Sequence, residues 1–162
     1  FITGTFSKSL GSIGGYCVSR FPELEYVRYA MRPYIFTASS SPSLIASTRK
    51  ALEVLHHSSA LRKKLWDNAT QLYQGLAAMG FELGPEISPV IAVRLPASVG
   101  ETTALWNELL SQGIYVNLVL PPATPGGKPL LRCSLSAAHS QAQIQAILDA
   151  FALIREKLQS HA

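Results

Sequence analysis

The stretch Gly4-Thr5-Phe6-Ser7-Lys8-Ser9-Leu10-Gly11-Ser12-Ile13-Gly14-Gly15-Tyr16 sets one lysine among hydroxyls and glycines, directly after the apolar start Phe1-Ile2-Thr3. Two chemistries use such an arrangement. A phosphate-cradling P-loop needs G-x-x-x-x-G-K-[ST]. Here Ser7 stands before the lysine and the first glycine is misplaced, so that reading fails on spacing. The other is a Schiff-base lysine. Its amine condenses with an aldehyde, neighbouring hydroxyls hold the cofactor's phosphate, and glycines let the backbone come close. A solvated turn lysine explains the same residues without chemistry, and the residues alone leave both open.

Working outward, residues 1–5 and 15–19 read as short strands around that turn. Residues 23–31 read as a short helix that Arg32-Pro33 ends, because the residue before proline is pushed out of the α region. A helical pattern over 42–56 follows the small polar segment Phe36-Thr37-Ala38-Ser39-Ser40-Ser41. Leu61, Leu65, Leu72 and Leu76 place a second helix over 59–79, stopped at Gly80. Residues 81–83, 90–95, 114–118 and 130–135 read as strands. Residues 100–112 and 140–158 read as helices, the latter with Ile144, Ile147, Leu148, Phe151 and Ile154 on one stripe. From residue 80 the order is β-β-α-β-β-α, an α+β arrangement with a small sheet covered by helices on one face. The first forty residues have no hydrophobic partner of their own and read as the tail of another domain, with the boundary at residue 45. The chain is therefore expected to be the C-terminal part of a longer polypeptide.

Composition narrows the class. Of 162 residues, 48% are hydrophobic and 15% charged, which excludes intrinsic disorder. Mean hydropathy is +0.18, yet no stretch nears the roughly 20 apolar residues of a membrane helix. The net charge of +4 is spread out. Its only basic run, Arg62-Lys63-Lys64, reads as a solvated helix face and not a nucleic-acid site. Cys17 and Cys133 form neither a metal spacing nor a disulfide framework, so no metal and a cytoplasmic setting are expected. His139, before the N-cap candidate Ser140, reads as structural, as do His56-His57 at a helix end. Trp66, Trp106 and Tyr73 read as core or interface.

Four segments together carry a resemblance. GTFSKSLGSIGGY resembles the lysine motif of the α-oxoamine synthases, fold-type-I enzymes dependent on pyridoxal 5'-phosphate (PLP). Tyr34-Ile35-Phe36-Thr37-Ala38-Ser39, Pro121-Pro122-Ala123-Thr124-Pro125 and Leu131-Arg132-Cys133-Ser134-Leu135-Ser136-Ala137-Ala138-His139 resemble further family segments in the same order. The resemblance spans nearly the whole chain. It implies an α/β fold of the PLP-dependent transferase type. Residues 1–45 would end the large domain and 46–162 form the small C-terminal α+β domain. Lys8 would hold PLP and act as the base at the substrate's α-carbon. Thr5 and Ser7 would lie at the PLP phosphate, Thr37 and Ala38 would reach the partner subunit's cofactor in a homodimer, and Arg132 would grip the substrate carboxylate through two parallel hydrogen bonds.

The implied reaction joins an amino acid, L-serine, to a long-chain acyl-CoA with loss of carbon dioxide, giving a 3-ketosphinganine-type product for sphingolipid synthesis. Peripheral membrane contact of the parent would suit such a substrate. Family members that form 8-amino-7-oxononanoate or 2-amino-3-ketobutyrate share all four segments, and a non-catalytic subunit of the same fold remains an alternative. One departure stands out. Some members carry an arginine before the paired prolines, where this chain has Leu120. The groups that stack on the PLP ring and hold its pyridine nitrogen lie upstream of the lysine in the family. The chain by itself is therefore expected to be inactive.

Overall fold

The computed structural model describes residues 1–160. Contacts divide the chain into two units, one ending at Ser59 and the other beginning at Ala60, later than the boundary read at residue 45.

In the first unit, β1 (Ile2–Thr5) and β2 (Gly15–Val18) form an antiparallel pair with Ile2 opposite Val18 and Thr5 opposite Gly15. Three helices follow: α1 (Leu24–Ala30), α2 (Arg32–Ile35) and α3 (Pro42–His57). The helix expected to stop at Arg32-Pro33 instead breaks at Met31, which turns extended, and resumes for one turn. Proline is tolerated in a first helical turn because its missing N–H has no partner there. Ser41 caps α3 by accepting from the Leu44 N–H. His56 and His57 occupy the last turn, where positive charge suits the helix dipole. Among the described residues, no buried hydrophobic side chain precedes Ala69, so this unit has no apolar core of its own.

The second unit holds α4 (Ser59–Ala78) from Ala60 onward, β3 (Glu82–Leu83), β4 (Val90–Arg94), α5 (Val99–Ser111), β5 (Asn117–Val119), β6 (Leu130–Ser134) and α6 (Gln141–Ser160). Its four strands pair antiparallel in the order β3-β4-β6-β5. Alternation along the strands sends Ile91, Val93, Leu131 and Cys133 inward. They meet Leu72 and Leu76 of α4, Leu109 of α5, and Ile144, Phe151 and Ile154 of α6 in one core. Phe81 and Phe151 meet edge to face at 5.6 Å. A Cβ on Gly75 of α4 would lie 2.4 Å from Leu148 Cδ2 of α6, so a methyl group there would force the buried Leu148 side chain to shift. Ser98 and Glu101 form a capping box on α5. Ser140 and Gln143 bond reciprocally at the start of α6, as the N-cap reading of Ser140 expected.

The strand expected over 114–118 begins only at Asn117. The Gly113 and Ile114 N–H groups bond back to the Leu110 and Leu109 carbonyls, which ties those residues to the end of α5. Asn68 is wholly buried on α4. Its amide donates to the Ser136 and His139 carbonyls at 3.2 and 3.1 Å and accepts from Gln141, binding α4 to the turn between β6 and α6. His139 plays the structural part expected of it, its Nδ1 accepting from the Ser136 N–H at 3.0 Å.

Two outcomes follow for stability, both readable by fluorescence because Trp66 and Trp106 lie in the second unit. Gly75→Ala is expected to lower its unfolding free energy by about 1–3 kcal/mol, the usual cost of overpacking; an unchanged urea midpoint would contradict the helix contact. Burial pushes the Cys133 thiol up from 9.0 to about 12. A thiol that ionises near its ordinary value when unfolded and resists when folded favours unfolding as pH rises. The slope is about 1.4 kcal/mol per pH unit between the two values. Urea titrations of the parent and Cys133→Ala should therefore converge above pH about 9, and parallel curves would disprove the burial effect.

Candidate functional site

Lys8 sits on the loop that joins β1 to β2. The Gly11 N–H closes a turn on the Lys8 carbonyl at 3.0 Å, while the Ser12 N–H donates to the Phe6 carbonyl and the Phe6 N–H to the Gly14 carbonyl, each at 2.9 Å, pinching the loop's base. The Lys8 side chain is exposed, and among the described residues no acid pairs with it. At the end of β1, the Thr5 and Ser7 hydroxyls are 2.8 Å apart. Thr5 Oγ1 accepts from the Ser7 N–H at 3.2 Å and donates to the Gly14 carbonyl at 3.1 Å. The loop thus holds an amine and two hydroxyls on one short segment, fixed by its own backbone.

Gly15 makes that hairpin possible. A Cβ there would stand 2.8 Å from the Gly4 carbonyl oxygen, a backbone atom that cannot swing aside. Phe6 and Tyr16 stack across the hairpin at 5.4 Å. Thr37 and Ala38 lie beyond α2, where the Thr37 hydroxyl donates to the Pro33 carbonyl. An open concavity of about 840 Å³ is lined by Gly14, Gly15, Tyr34, Thr37, Ala38 and Ser40 among others. It joins the flank of the lysine loop to the Thr37-Ala38 segment, but Lys8, Thr5 and Ser7 do not line it. Beside it, Arg28 bonds the Tyr34 hydroxyl at 3.4 Å, and that contact, more than Glu25, holds the guanidinium above its ordinary pKa.

Arg132 belongs to the second unit, on β6, one of the two inner strands. Its neighbours Leu131 and Cys133 are buried, so alternation turns Arg132 to the outer face, where it is exposed. The register sets Ala92 of β4 on one side of it and Asn117 of β5 on the other. One Nη donates to Asn117 Oδ1 at 3.2 Å. A second arginine, Arg94, lies on the outer side of β4 and is neutralised by Glu82 at 2.6 Å. Among the described residues, no carboxylate reaches Arg132. Of two arginines on this sheet, one has its charge matched and the other keeps it. Leu120 follows β5 and is partly exposed, and Pro121-Pro122 is a cis peptide.

Residues 1–151 match the family model for aminotransferase class I and II. The chain belongs to that family. Members of this class I and II family related to the chain are PLP-dependent α-oxoamine synthases. The chain is 51% identical over 151 residues to the serine palmitoyltransferase of Caulobacter vibrioides, covering 93% of this chain and 37% of that protein. It is 48% identical to the serine palmitoyltransferase of Sphingomonas paucimobilis, over 93% of this chain and 36% of that protein. A solved structure of SPT with its PLP internal aldimine superposes with a TM-score of 0.91 at 46% identity, over 97% of this chain and 40% of that one. The chain thus spans little more than a third of the relatives it matches. The expected α/β transferase fold of type I is the fold found.

Asn117 is the residue that sequence reading left unassigned. It stands 15 positions from Arg132, and only strand register makes them neighbours. Gly15→Ala in the full-length protein is expected to open the hairpin. Amide hydrogen exchange over β1 and β2 should then rise by about tenfold or more. Unchanged protection would mean that the backbone tolerates the methyl group.

Proposed function

We propose that the full-length protein is a PLP-dependent C-acyltransferase that condenses L-serine with a long-chain acyl-CoA, releasing carbon dioxide and coenzyme A and forming a 3-ketosphinganine-type product. The observation that carries this reading is identity near one half to two serine palmitoyltransferases over 93% of this chain, with the family match spanning the lysine loop. The local geometry fits the cofactor. An exposed amine, two hydroxyls 2.8 Å apart and a backbone without side chains at Gly14 and Gly15 suit a phosphorylated aldehyde.

In this reading Lys8 Nζ anchors PLP and later moves the proton at the substrate's α-carbon. The Ser7 hydroxyl turns to the phosphate without disturbing the bond from Thr5 to Gly14, and Thr5 braces the same turn. PLP, when bound, supplies the electron sink for breaking bonds at the α-carbon. Arg132, with its charge unmatched, holds the substrate carboxylate through parallel N–H donors. The protein acts as a homodimer in which Thr37 and Ala38 serve the partner's site. It works in the cytoplasm, with peripheral membrane contact where long acyl chains are met.

Borohydride reduction of the full-length protein, digestion and mass spectrometry should find a pyridoxyl adduct on the peptide that holds Lys8. Lys8→Ala should abolish the adduct and lower turnover by about 10³-fold or more with the fold intact. A panel of L-serine, glycine and L-alanine, each with long-chain acyl-CoA, should give turnover with serine foremost. A preference for glycine or alanine would move the protein to another branch of the α-oxoamine synthases. The isolated 162-residue chain should turn over none of them.

A further inference from the structure

Arg132 has one side-chain hydrogen-bond partner among the described residues, and that partner is neutral. The cross-strand row runs Ala92, Arg132, Asn117 over the outer side of β4, β6 and β5. Ala92 offers only a methyl group, so Asn117 alone can fix where the guanidinium points. Arginine carries donors only, so the amide must turn its Oδ1 to Arg132, as found at 3.2 Å. Its Nδ2 then donates to the Tyr115 hydroxyl at 3.4 Å. The amide is half-buried and held from both ends.

We infer that Asn117 is a positioning residue for amino-acid recognition: its amide holds Arg132 in place for the incoming carboxylate while leaving the guanidinium charge uncancelled. The inference rests on the reading of Arg132 as the carboxylate-binding group. The same sheet supplies the contrast. Arg94 is held by a carboxylate, Glu82 at 2.6 Å, and its charge is cancelled. A carboxylate in place of Asn117 would do the same to Arg132. A carboxamide accepts a hydrogen bond without opposing charge. One N–H of Arg132 is engaged by Asn117, and four of the five remain for a substrate that needs two.

The test uses the full-length protein loaded with PLP and two probes. One is the tightest-binding amino acid of the serine, glycine and alanine panel; the other is its methyl ester, which lacks the negative charge. Equilibrium dissociation constants are measured by calorimetry for the parent, Asn117→Ala, Asn117→Asp and Arg132→Ala, with thermal melting alongside. Asn117→Ala is expected to weaken the amino acid by about tenfold, the scale of a hydrogen bond to a charged group. Asn117→Asp should weaken it by about a hundredfold, because the new carboxylate occupies and cancels the guanidinium. The ester should bind all four proteins alike. In turnover, KM for the amino acid should rise in both Asn117 variants while kcat at saturation holds.

Equal weakening of amino acid and ester would overturn the inference, since a merely structural role moves both. So would an Asn117→Asp protein that binds the amino acid as the parent does. If Arg132→Ala discriminates between the two probes and Asn117→Ala does not, the positioning role fails and the reading of Arg132 stands. If Arg132→Ala binds the amino acid like the parent, both fail together. A parent that binds none of the panel also overturns both.

Discussion

The backbone ladder of β6 is the constraint on which the second unit depends. It is one of the two inner strands of the sheet, bonded to β4 over five residue pairs and to β5 over three. Its alternation buries Leu131 and Cys133 against helices α4, α5 and α6 and turns Arg132 outward. A slip of one residue would bury the guanidinium and expose the core, at a cost far above what a small sheet can absorb. The hydrophobic effect therefore sets the register, and the register sets which side chains flank Arg132. The polar face of the sheet is decided by what its other face must exclude from water.

The first unit lives by a different rule. Its residues bury little: Phe1, Ile2, Tyr16, Phe21, Tyr26, Tyr34 and Phe36 are all exposed, and two strands without a covered face are marginal alone. What holds the lysine loop is local. Backbone bonds pinch its base, a hydroxyl of Thr5 braces its shoulder, and Gly15 brings two strands closer than a side chain would allow. Such a loop fixes its geometry with few long-range contacts. That suits the proposed reading, in which the segment presents an amine and two hydroxyls to a bound molecule.

Helices were the most legible elements, because a 3.6-residue stripe of leucines and isoleucines is visible in a window of local sequence. The ranges read for α3, α4 and α6 lie within a few residues of those found. The two departures, at Met31 and at Ile114, share a cause. In each, a backbone group at a helix end bonded where no side-chain pattern records it. The lysine loop stood out through residue type, one amine among glycines and hydroxyls, and family likeness gave that amine its expected role. Arg132 was legible only through family likeness, for nothing local separates it from Arg94.

By itself the sequence determined the class, most of the order of elements and the family, and it singled out one lysine, because composition, periodicity and motif are properties of neighbours along the chain. Only the tertiary structure decided that Glu82 cancels Arg94, that Arg132 keeps its charge, and that Asn117 stands beside it. Those facts are cross-strand. They depend on antiparallel registers joining residues 12 to 15 positions apart, and a register is chosen by the burial of the whole core and not by the residues it brings together.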